Sequence, residues 1–322
     1  MRYVVIGAGA VGGTIGVRLH EAGRDVVLVA RGPHLAAIRE NGLRLDDPER
    51  SRTVRIPVAA NLAEVRPRTG DVVLLAVKSQ DTAPVLDDLR DLAPGLPVVC
   101  AQNGVANERF AAQRGFPVQA MLVILPAEHY EPGVVVASSA PVPGVLDVGS
   151  HPTGTDELSE TIATDMTAAG FASRADPEVM DPKYGKLLTN LANAADAICG
   201  ADDPAFAELA AAARAEGEEC LATAGIPVRP DEDDRVRREG LITESAVGGR
   251  QRRGTSMWQS LHRRTGRTEA GFLNGEIVAI GAAHGVRTPV NSALLRIVTE
   301  MGRAGEPPAS RSGADVMATA TA

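Results

Sequence analysis

Residues 1–13 read MRYVVIGAGAVGG, and this short stretch decides the fold. Residues 2–6 form an apolar run typical of a buried strand, and a helical pattern follows the glycines and reaches about Gly23. Between the two, residues 7–12 read GAGAVG and match the pattern G-x-G-x-x-G. The pattern alone is a weak signal, but a strand before it and a helix after it favour dinucleotide binding.

Each glycine of this loop has a separate physical role. Gly7 makes the tight turn, Gly9 lets the backbone approach a pyrophosphate, and Gly12 permits close packing of the helix on the strand. The helix then presents unpaired N–H groups and the positive end of its dipole to the phosphates. The residues predicted to bind the cofactor here are Gly7, Ala8, Gly9, Ala10, Val11 and Gly12. The alternative is a glycine-rich turn in another kind of α/β protein.

The end of the second strand predicts which cofactor is bound. A protein that binds NAD normally carries Asp or Glu there for the ribose 2′-hydroxyl. In this chain the strand ends with Val29, Ala30 and Arg31, and the next acidic residue is Glu40. A guanidinium suits a 2′-phosphate and does not replace the missing acceptor. We therefore predict NADPH/NADP rather than NADH, with Arg31 as a cofactor-binding residue.

Length and composition limit the number of domains and the kinds of partner that the chain can have. A chain of 322 residues is too long for one ordinary core and predicts two domains. The net charge of −8 and the pI near 5.4 disfavour nucleic-acid partners and anionic membranes. The sequence has no run of about 18 apolar residues, so we expect no membrane-spanning helix. Cys100, Cys199 and Cys220 lack metal or redox spacing and predict free thiols in a soluble, cytoplasmic protein.

Apolar, β-branched runs recur along the first half of the chain at intervals of helix length. They lie at residues 2–6, 25–29, 72–77, 97–100 and 117–125. Such spacing predicts a buried parallel sheet with helices on both faces, and therefore an α/β fold. Residues 132–149 are instead typical of paired short strands at one edge of the sheet.

The character of the sequence changes after residue 155, where helix formers dominate. Helical patterns occupy residues 178–199, 204–224, 256–264, 269–284 and 289–303. We therefore predict a Rossmann domain at 1–172, a helical domain at 173–303 and a disordered tail at 304–322. The acidic run DEDD at 231–234 predicts a solvated helix start or turn rather than a set of metal ligands.

Lysine is rare in this chain and occurs only as Lys78, Lys183 and Lys186. A lysine ammonium can give up a proton, whereas an arginine guanidinium cannot. Lys186, Asn190 and Asn193 are spaced i, i+4 and i+7, so a helix would present all three on one face. A proton donor in this segment is one interpretation, and chance retention of lysine in an arginine-rich composition is the other.

Several short motifs follow one another in a fixed order. They read LLAVKSQ, QNGVANE, KLLTN, TSMWQSL and TEAGFLNG. The residues they carry are Lys78, Asn103, Lys186, Asn190, Ser256, Glu269 and Asn274. In this order and with these separations, the motifs resemble those of the ketopantoate reductase (2-dehydropantoate 2-reductase) family over about residues 1–303. Each motif alone is a weak signal, but the ordered set is specific.

The resemblance implies both a fold and a reaction. The fold is an N-terminal Rossmann-like parallel-sheet domain followed by an all-helical C-terminal domain of the 6-phosphogluconate-dehydrogenase type. The reaction is the NADPH-dependent reduction of a small 2-oxo acid, 2-dehydropantoate (ketopantoate), to (R)-pantoate on the route to pantothenate and coenzyme A. The helical domain is also compatible with a homodimer.

The resemblance also implies roles for individual residues. Lys186 would donate the proton, and Glu269 would hold a substrate hydroxyl, pair with a lysine or contact the nicotinamide ribose. The residues expected to bind the substrate are Asn103, Asn190, Asn193 and Ser256. Besides the glycine loop and Arg31, those expected to bind the cofactor are Lys78, Asn103 and Ala127. Lys183 has no matching role and is predicted to be a surface residue, and no metal is expected.

Structural roles are the alternatives at three of these positions. Asn103 precedes a glycine and is compatible with a turn that ends a strand. Ser256 is compatible with a helix cap. For Asn274, which also precedes a glycine, a structural role is favoured over a catalytic one.

Three differences from the family's usual sequence motifs affect the prediction of the substrate. Ser260 stands where an aspartate is common, and Gly271 stands where the family commonly completes the sequence Glu-Ile-Asp. The bulky His129 and Tyr130 lie in a segment, 124–133, that is usually small and polar. The alternatives are therefore a reductase of another 2-oxo acid or ketone, a glycerol-phosphate or opine type of dehydrogenase, and a non-catalytic NADPH-binding sensor.

Overall fold

The structure is a computed structural model that describes residues 1–252, 254–264 and 266–321. The chain divides into two compact units. The first unit contains Met1–Lys183 and Asp231–Arg252, and the second contains Tyr184–Pro230 and the described residues after Arg252. The division after residue 183 differs from the boundary at 172/173 that we expected. A segment that we expected in the helical domain also belongs to the first unit.

The first unit carries the strands. They are β1 (Arg2–Ile6), β2 (Asp25–Val29), β3 (Leu43–Asp46), β4 (Ser51–Val54), β5 (Val58–Ala59), β6 (Asp71–Leu75), β7 (Val98–Cys100), β8 (Val118–Met121), β9 (Ala127–Glu128), β10 (Val134–Ala137), β11 (Ser139–Pro141), β12 (Val148–Ser150) and β13 (Ile242–Glu244). The described residues of the second unit form helices and turns and contain no strand, so the unit is helical, as the sequence predicts.

Helices are found in both units. They are α1 (Ala10–Glu21), α2 (Gly32–Asn41), α3 (Leu62–Val65), α4 (Thr82–Leu92), α5 (Ala106–Gln113), α6 (Glu157–Ala168), α7 (Met180–Asn190), α8 (Ala192–Cys199), α9 (Phe206–Thr223), α10 (Asp231–Arg238), α11 (Ser256–His262), α12 (Asn274–His284), α13 (Pro289–Ala304) and α14 (Gly313–Thr321). Short 3-10 turns lie at Ser79–Asp81 and Ala270–Phe272. Helix α7 begins in the first unit and ends in the second.

The main sheet has the strand order β12-β8-β7-β6-β1-β2-β5. Its pairs are parallel except for β12, which runs antiparallel to β8. The apolar runs recognised in the sequence form β1, β2, β6, β7 and β8, which confirms the predicted parallel sheet. Because parallel strands end at the same edge, the loops after β1, β6 and β7 share the edge at which open α/β sheets bind ligands.

Alternate residues of the central strands enter two hydrophobic cores, one on each face of the main sheet. Tyr3 and Val5 belong to one core, and Val4 and Ile6 belong to the other. Leu74 of β6 lies in the same core as Tyr3 and is fully buried. Full burial of such an apolar side chain contributes about 1.5–3 kcal/mol to stability. Burial on both faces explains why these strands read as continuous apolar runs.

The segment 132–149 forms short paired strands, as its sequence predicts, but only one of them lies at an edge of the main sheet, and the others belong to two smaller sheets. Strand β10 pairs with β3 and β9, β11 pairs with β13, and β12 closes one edge of the main sheet. The β3–β4 hairpin was not recognised in the sequence, because each of its strands has only four residues with mixed exposure. Pairing of β11 with β13, together with a 2.7 Å ion pair between Arg237 and the buried Asp147, anchors residues 231–252 to the first unit.

In the second unit, the helix predicted at 178–199 is broken at Leu191, between α7 and α8. The amide of Leu191 donates to Leu188 at 3.3 Å, as in a tightened helical turn. The carbonyl oxygen of Leu191 accepts a hydrogen bond from Nδ2 of Asn274 at 3.1 Å. Asn274 is fully buried and also donates to Asn291 at 3.0 Å. Asn274 therefore has the structural role that its sequence context favours, because it satisfies a carbonyl group at the helix break.

The tail at 304–322 is not the disordered segment that we expected. Its described residues after Ser312 form α14, which packs against α8, α9 and α13. Val316 is 1% exposed, so one face of this helix is buried. The Arg311 backbone amide donates to Ile198 at 3.1 Å, and its guanidinium lies 2.7 Å from Glu306. Composition alone suggested disorder, because the contacts that order this segment come from distant helices.

Two further expectations concern membranes and thiols. Among the described residues, no helix has both the length and the apolar character needed to cross a bilayer. Cys100, Cys199 and Cys220 are free, as their spacing predicts, and all three are buried. Burial raises the pKa of Cys100, and it raises the pKa of Cys199 to about 11, so both thiols are protonated at neutral pH.

Candidate active site

The glycine-rich loop connects β1 to α1 and has the geometry that its sequence predicts. Gly7 has a φ of +101°, and an added Cβ would lie 2.8 Å from the backbone of Ala76 and Val77. A Cβ on Gly12 would overlap the carbonyl oxygen of Gly7. A Cβ on Gly9 would meet no described atom within 4 Å, so the chain leaves open space beside this residue. The loop is therefore closed against the protein at Gly7 and Gly12 and open at Gly9.

Helix α1 presents its amino terminus from this loop. Gly9 is its N-cap residue, and its first turn contains no acidic side chain. The first N–H groups of an α-helix have no partners within the helix, and the helix dipole adds a partial positive charge. Open space at Gly9 beside such a helix terminus fits a phosphate group.

His34 supports the loop and was not recognised in the sequence. Its Nε2 lies 2.7 Å from the carbonyl oxygen of Ala8, and its Nδ1 lies 2.9 Å from the amide nitrogen of Gly133. Because that amide can only donate, Nδ1 accepts, and Nε2 carries the proton donated to Ala8. Burial lowers the pKa of His34, which favours this neutral form. The ring also packs on His129, with 4.2 Å between ring centroids. A single histidine in the sequence gave no signal of this role.

Arg31 is the N-cap residue of α2, and its side chain is 78% exposed. Its Nη2 lies 2.9 Å from Oδ2 of Asp81, which belongs to the 3-10 turn after β6. The nearest carboxylate therefore comes from the loop of another strand rather than from the end of β2. Sequence order did not reveal this ion pair, because fifty residues separate its partners.

Lys78 and Asn103 follow the neighbouring strands β6 and β7 and lie at the same edge of the main sheet. Both are half-buried. Oδ1 of Asn103 is buried without a hydrogen-bond partner among the described residues. Ala127 lies in β9, which pairs with β10 in a separate four-stranded sheet of order β4-β3-β10-β9. The first unit thus brings Lys78 and Asn103 to one edge, whereas Ala127 belongs to a different sheet.

A buried hydrogen-bond network connects the loops after β6 and β7. Nε2 of Gln102 donates to the carbonyl oxygen of Val77 at 2.7 Å and to the hydroxyl of Thr82 at 2.9 Å. Thr82 donates to Asn107 at 2.8 Å, and Asn107 donates to the carbonyl oxygen of Asn103 at 3.2 Å. The backbone that precedes Lys78 is therefore tied to the backbone at Asn103.

Lys183 is buried, and our expectation of a surface residue is wrong. Its side chain is 3% exposed, and its Nζ lies 3.0 Å from Oε1 of Glu108, whose side chain is 0% exposed. The ammonium also donates to the carbonyl oxygens of Gln102 at 3.0 Å and Met121 at 2.9 Å. These partners are far away along the chain, so no local spacing indicated that Lys183 would be buried among them.

In the second unit, Lys186, Asn190 and Asn193 are all half-buried, although the helix break precedes Asn193. Leu187 and Leu188 on the same helix are buried at 0% and 3% exposure and supply its core-facing side. Nδ2 of Asn190 is buried and makes no hydrogen bond with any described residue. An unsatisfied buried donor is costly, so Asn190 is a candidate for donating to an oxygen atom of a ligand.

Ser256 begins α11, but its neighbour Thr255 caps that helix. The Thr255 hydroxyl accepts a hydrogen bond from the amide of Trp258 at 3.3 Å, so the alternative of a cap at Ser256 does not hold. The amide of Thr255 donates to Asp196 at 2.9 Å, and its hydroxyl lies 3.5 Å from the carbonyl oxygen of Asn193. These contacts bring the start of α11 next to the start of α8.

Glu269 is half-buried and is the N-cap residue of the 3-10 turn Ala270–Phe272, which packs against α12 and α13. Gly271 in that turn is exposed, with no described atom within 4 Å of an added Cβ. Ser260 is buried and donates to the carbonyl oxygen of Ser256 at 3.0 Å. Glu269 and Ser256 are thus positioned by separate elements of the second unit.

A glycine-rich loop at the carboxyl edge of a parallel sheet, with a helical second unit, defines the class of two-domain oxidoreductases that use a nicotinamide cofactor. A family model described as "Ketopantoate reductase PanE/ApbA" matches residues 3–152. A second, described as "Ketopantoate reductase PanE/ApbA C terminal", matches residues 179–302. The chain therefore belongs to the ketopantoate reductase family, as its ordered motifs predict.

Individual relatives agree with this family. The 2-dehydropantoate 2-reductase of Archaeoglobus fulgidus is 30% identical over 305 residues, which cover 92% of this chain and 96% of the relative. The Pyrococcus horikoshii enzyme of the same name is 26% identical over 303 residues, with the same coverage of 92% and 96%. These curated relatives match over nearly their whole length.

Solved structures show the same fold. A PanE/ApbA family ketopantoate reductase from Ralstonia eutropha is 27% identical and has a TM-score of 0.80, with coverage of 95% of this chain and 99% of that chain. A D-mandelate dehydrogenase solved with NADH and anilino(oxo)acetate is 21% identical, with a TM-score of 0.81 and the same coverage of 95% and 99%. The likeness to the second structure shows the fold alone.

Proposed function

We propose that this protein is an NADPH-dependent reductase that converts 2-dehydropantoate (ketopantoate) to (R)-pantoate for pantothenate and coenzyme A biosynthesis. Membership of the ketopantoate reductase family and the curated 2-dehydropantoate 2-reductase relatives support this proposal. The observation that carries it is the half-buried face of α7, where Lys186 is followed one turn later by Asn190. On that face the buried Nδ2 of Asn190 has no partner among the described residues.

The residues of the first unit fit NADPH. Open space at Gly9 and the amino terminus of α1 suit a pyrophosphate. The exposed guanidinium of Arg31 suits a 2′-phosphate, which would compete with the Asp81 carboxylate for Arg31. Lys78, Asn103 and Ala127 are proposed to line the cofactor, and the unpaired Oδ1 of Asn103 supports a ligand contact there.

Lys186 supplies the proton in the proposed reaction. When bound, NADPH supplies a hydride to the carbonyl carbon of the substrate. The ammonium of Lys186 stabilises the negative charge that develops on the carbonyl oxygen and then donates a proton to it. Nδ2 of Asn190 donates a hydrogen bond to the same oxygen or to a substrate hydroxyl without adding charge. Asn193 and Ser256 are proposed as further substrate contacts.

Glu269 is proposed as the second catalytic residue, and the substitution Glu269→Gln distinguishes its three candidate roles. A contact with a substrate hydroxyl predicts a higher KM for the 2-oxo acid alone. A contact with the nicotinamide ribose predicts a higher KM for NADPH. Pairing with a lysine predicts a changed pH dependence of kcat, because the carboxylate favours the charged ammonium.

The test of the proposed function is NADPH oxidation, followed by absorbance, with ketopantoate at micromolar to millimolar concentration. We expect saturable oxidation and formation of (R)-pantoate. Absence of turnover with ketopantoate, when another 2-oxo acid is reduced, would overturn the substrate assignment. Tight NADPH binding without reduction of any 2-oxo acid or ketone would indicate a non-catalytic NADPH-binding sensor.

A second candidate is reduction of another 2-oxo acid or ketone with the same residues. Two residues favour it because they lie close to proposed catalytic or substrate-binding positions. Ser260, which is neutral, follows Ser256 by one helical turn and donates to its carbonyl oxygen, and Gly271, which has no side chain, lies in the turn that Glu269 caps. Each also replaces a side chain that is common in the family. A panel of 2-oxo acids with linear, branched and aromatic side chains decides between the candidates by comparison of kcat/KM values.

A further inference from the structure

Lys183 is a buried cation that the proposed reaction does not use. Its Nζ lies 2.9 Å from the carbonyl oxygen of Met121, 3.0 Å from that of Gln102 and 3.0 Å from Oε1 of Glu108. The ammonium therefore donates two hydrogen bonds to backbone carbonyl groups and forms an ion pair with the Glu108 carboxylate. We refer to Lys183, Glu108, Gln102 and Met121 as the Lys183 clamp.

Stability alone is a weak explanation for this clamp. Removal of two charges from water costs free energy that their attraction often fails to recover, and an apolar pair of similar volume is frequently as stable. Apart from the ion pair, the Glu108 carboxylate makes no hydrogen bond with the described residues. The ammonium differs from an apolar side chain in its two bonds to backbone carbonyl groups.

Those two carbonyl groups belong to the carboxyl edge of the main sheet. Met121 is the last residue of β8, and Gln102 lies just beyond the end of β7. The two strands are parallel neighbours, with Cys100 opposite Ala120 near the ends of both. Beyond the last paired residues, the ammonium connects the segments that follow β7 and β8 at the edge of the sheet.

Gln102 connects the clamp to the candidate site. Its backbone carbonyl group is held by Lys183, and its side chain donates to the carbonyl oxygen of Val77 at 2.7 Å. Asn103 follows Gln102 directly, and Lys78 follows Val77 directly. One residue therefore links the buried ammonium to the backbone at two positions proposed to bind the cofactor or the substrate.

We propose that Lys183 is a positioning residue. Through Gln102, it fixes the positions of the two loops that carry Lys78 and Asn103. The inference rests on the proposed function for the reaction it serves. A compact ammonium suits acceptors grouped around one point, whereas a planar guanidinium does not. This explains why a lysine is retained here in a chain where arginine supplies nearly all of the basic residues.

The experiment compares variants of the clamp with a matched ion pair elsewhere in the same sheet. Lys183→Met removes the charge at similar length, and the double variant Lys183→Met/Glu108→Gln also removes the carboxylate that would be left unpaired. The control is Arg2→Met/Asp71→Asn, at the amino ends of β1 and β6, where the charged atoms lie 2.6 Å apart. The measurements are the thermal midpoint without ligand, the NADPH Kd, and kcat and KM.

We expect Lys183→Met to lower the thermal midpoint, raise the NADPH Kd about tenfold and lower kcat/KM by about 10- to 100-fold. The double variant should recover the thermal midpoint without recovering Kd or kcat/KM. The control should lose thermal stability and keep both kinetic and binding constants within about twofold of the unmodified protein. Recovery of Kd and kcat/KM in the double variant, or an equal kinetic loss in the control, would overturn the proposal.

A second substitution covers the case in which the Lys183 variants do not fold. Gln102→Met removes the side-chain bonds of Gln102 but leaves its carbonyl group available to Lys183. We expect a weaker NADPH affinity together with a moderate fall in the thermal midpoint, because the Val77 carbonyl group and Thr82 lose their donor. An unchanged Kd would overturn the proposal. The Kd and the midpoint are measured without a 2-oxo acid. Failure to reduce ketopantoate would therefore contradict the proposed function, but the Kd and midpoint measurements would still test the role of Lys183.

Discussion

The candidate sites of the two units differ in the groups that form them, which are mainly backbone groups in the first unit and side chains in the second. The first unit uses mainly backbone: the turn at Gly7, the open space at Gly9 and the amino terminus of α1. The second unit uses side chains on helices, of which Lys186 and Asn190 are the central pair. A backbone site depends on conformations that few residues adopt, whereas a side-chain site can lose a functional group and keep its fold. Changes in the first unit should therefore alter cofactor binding, and changes in the second should alter turnover.

The largest expected effect is that of Lys186→Met. Loss of a general acid lowers the rate by about 10²- to 10⁴-fold, so we expect kcat to fall in that range while the NADPH Kd stays nearly constant. Lys186→Arg is the matched control, because it keeps the positive charge without a transferable proton. Single-turnover NADPH oxidation and a fluorescence titration measure the two quantities. A fully active Lys186→Met variant would remove Lys186 from the mechanism.

The glycine loop gives the next effect, through two substitutions of equal size. Gly12→Ala places a Cβ against the carbonyl oxygen of Gly7, and such overpacking costs about 1–3 kcal/mol of stability. Gly9→Ala meets no described atom, so it should leave the thermal midpoint unchanged. Because its methyl group would fill the space proposed for the pyrophosphate, Gly9→Ala should weaken NADPH binding about tenfold, or by about 1.4 kcal/mol. Wild-type NADPH affinity in Gly9→Ala would refute a cofactor beside Gly9.

Arg31→Ala tests cofactor choice within the first unit. A hydrogen bond to a charged group contributes about 1.5–3 kcal/mol, and solvent screening reduces this at a side chain that is 78% exposed, so NADPH should bind about fivefold more weakly. NADH, which lacks the 2′-phosphate, should be almost unaffected. Asp81→Asn is the informative companion, because it removes the carboxylate 2.9 Å from Arg31 and should preserve or strengthen NADPH binding. An equal loss of affinity for both cofactors in Arg31→Ala would contradict the assignment.

The smallest expected effect concerns pH and His34. Its pKa in the folded protein is lowered by burial, so below its unfolded pKa of about 6.5 the unfolded state binds the proton first. The stability associated with neutral His34 is therefore complete above that pH and is lost as the pH falls through the folded pKa. Protonation of Nδ1 also ends its hydrogen bond from Gly133.

The measurement for His34 is the thermal midpoint as a function of pH. His34→Gln should reduce the loss of stability between neutral and mildly acidic pH. His151, whose pKa is likewise lowered by burial, should account for part of the remaining loss. A pH profile unchanged by His34→Gln would show that this histidine does not contribute to acid sensitivity.

Local sequence patterns were sufficient for the main sheet and its first loop. The apolar runs locate β1, β2 and β6 because burial on both faces leaves a continuous signal. Positive φ at Gly7 and close packing at Gly12 also follow from residue type, since a Cβ is excluded at both. These features depend on residues that are neighbours in the chain.

Features that depend on distant partners were missed. Burial of Lys183 requires Glu108 and two carbonyl groups from other strands, and no spacing in the sequence connects them. The same holds for the ion pair of Arg31 with Asp81 and for the packing of α14. The helix break at Leu191 also escaped prediction, because its carbonyl group is satisfied by Asn274 from a distant helix.

The scarcity of lysine has a practical consequence for chemical labelling. The ammonium of Lys183 is enclosed at 3% exposure and held by three acceptors, so acylating reagents should not reach it in the folded protein. The remaining lysine side chains, Lys78 and Lys186, are half-buried. Mild acylation followed by peptide mass spectrometry would therefore report on two informative lysine positions. Protection of Lys78 by NADPH, and of Lys186 by a 2-oxo acid, would give separate occupancy signals for the two ligands.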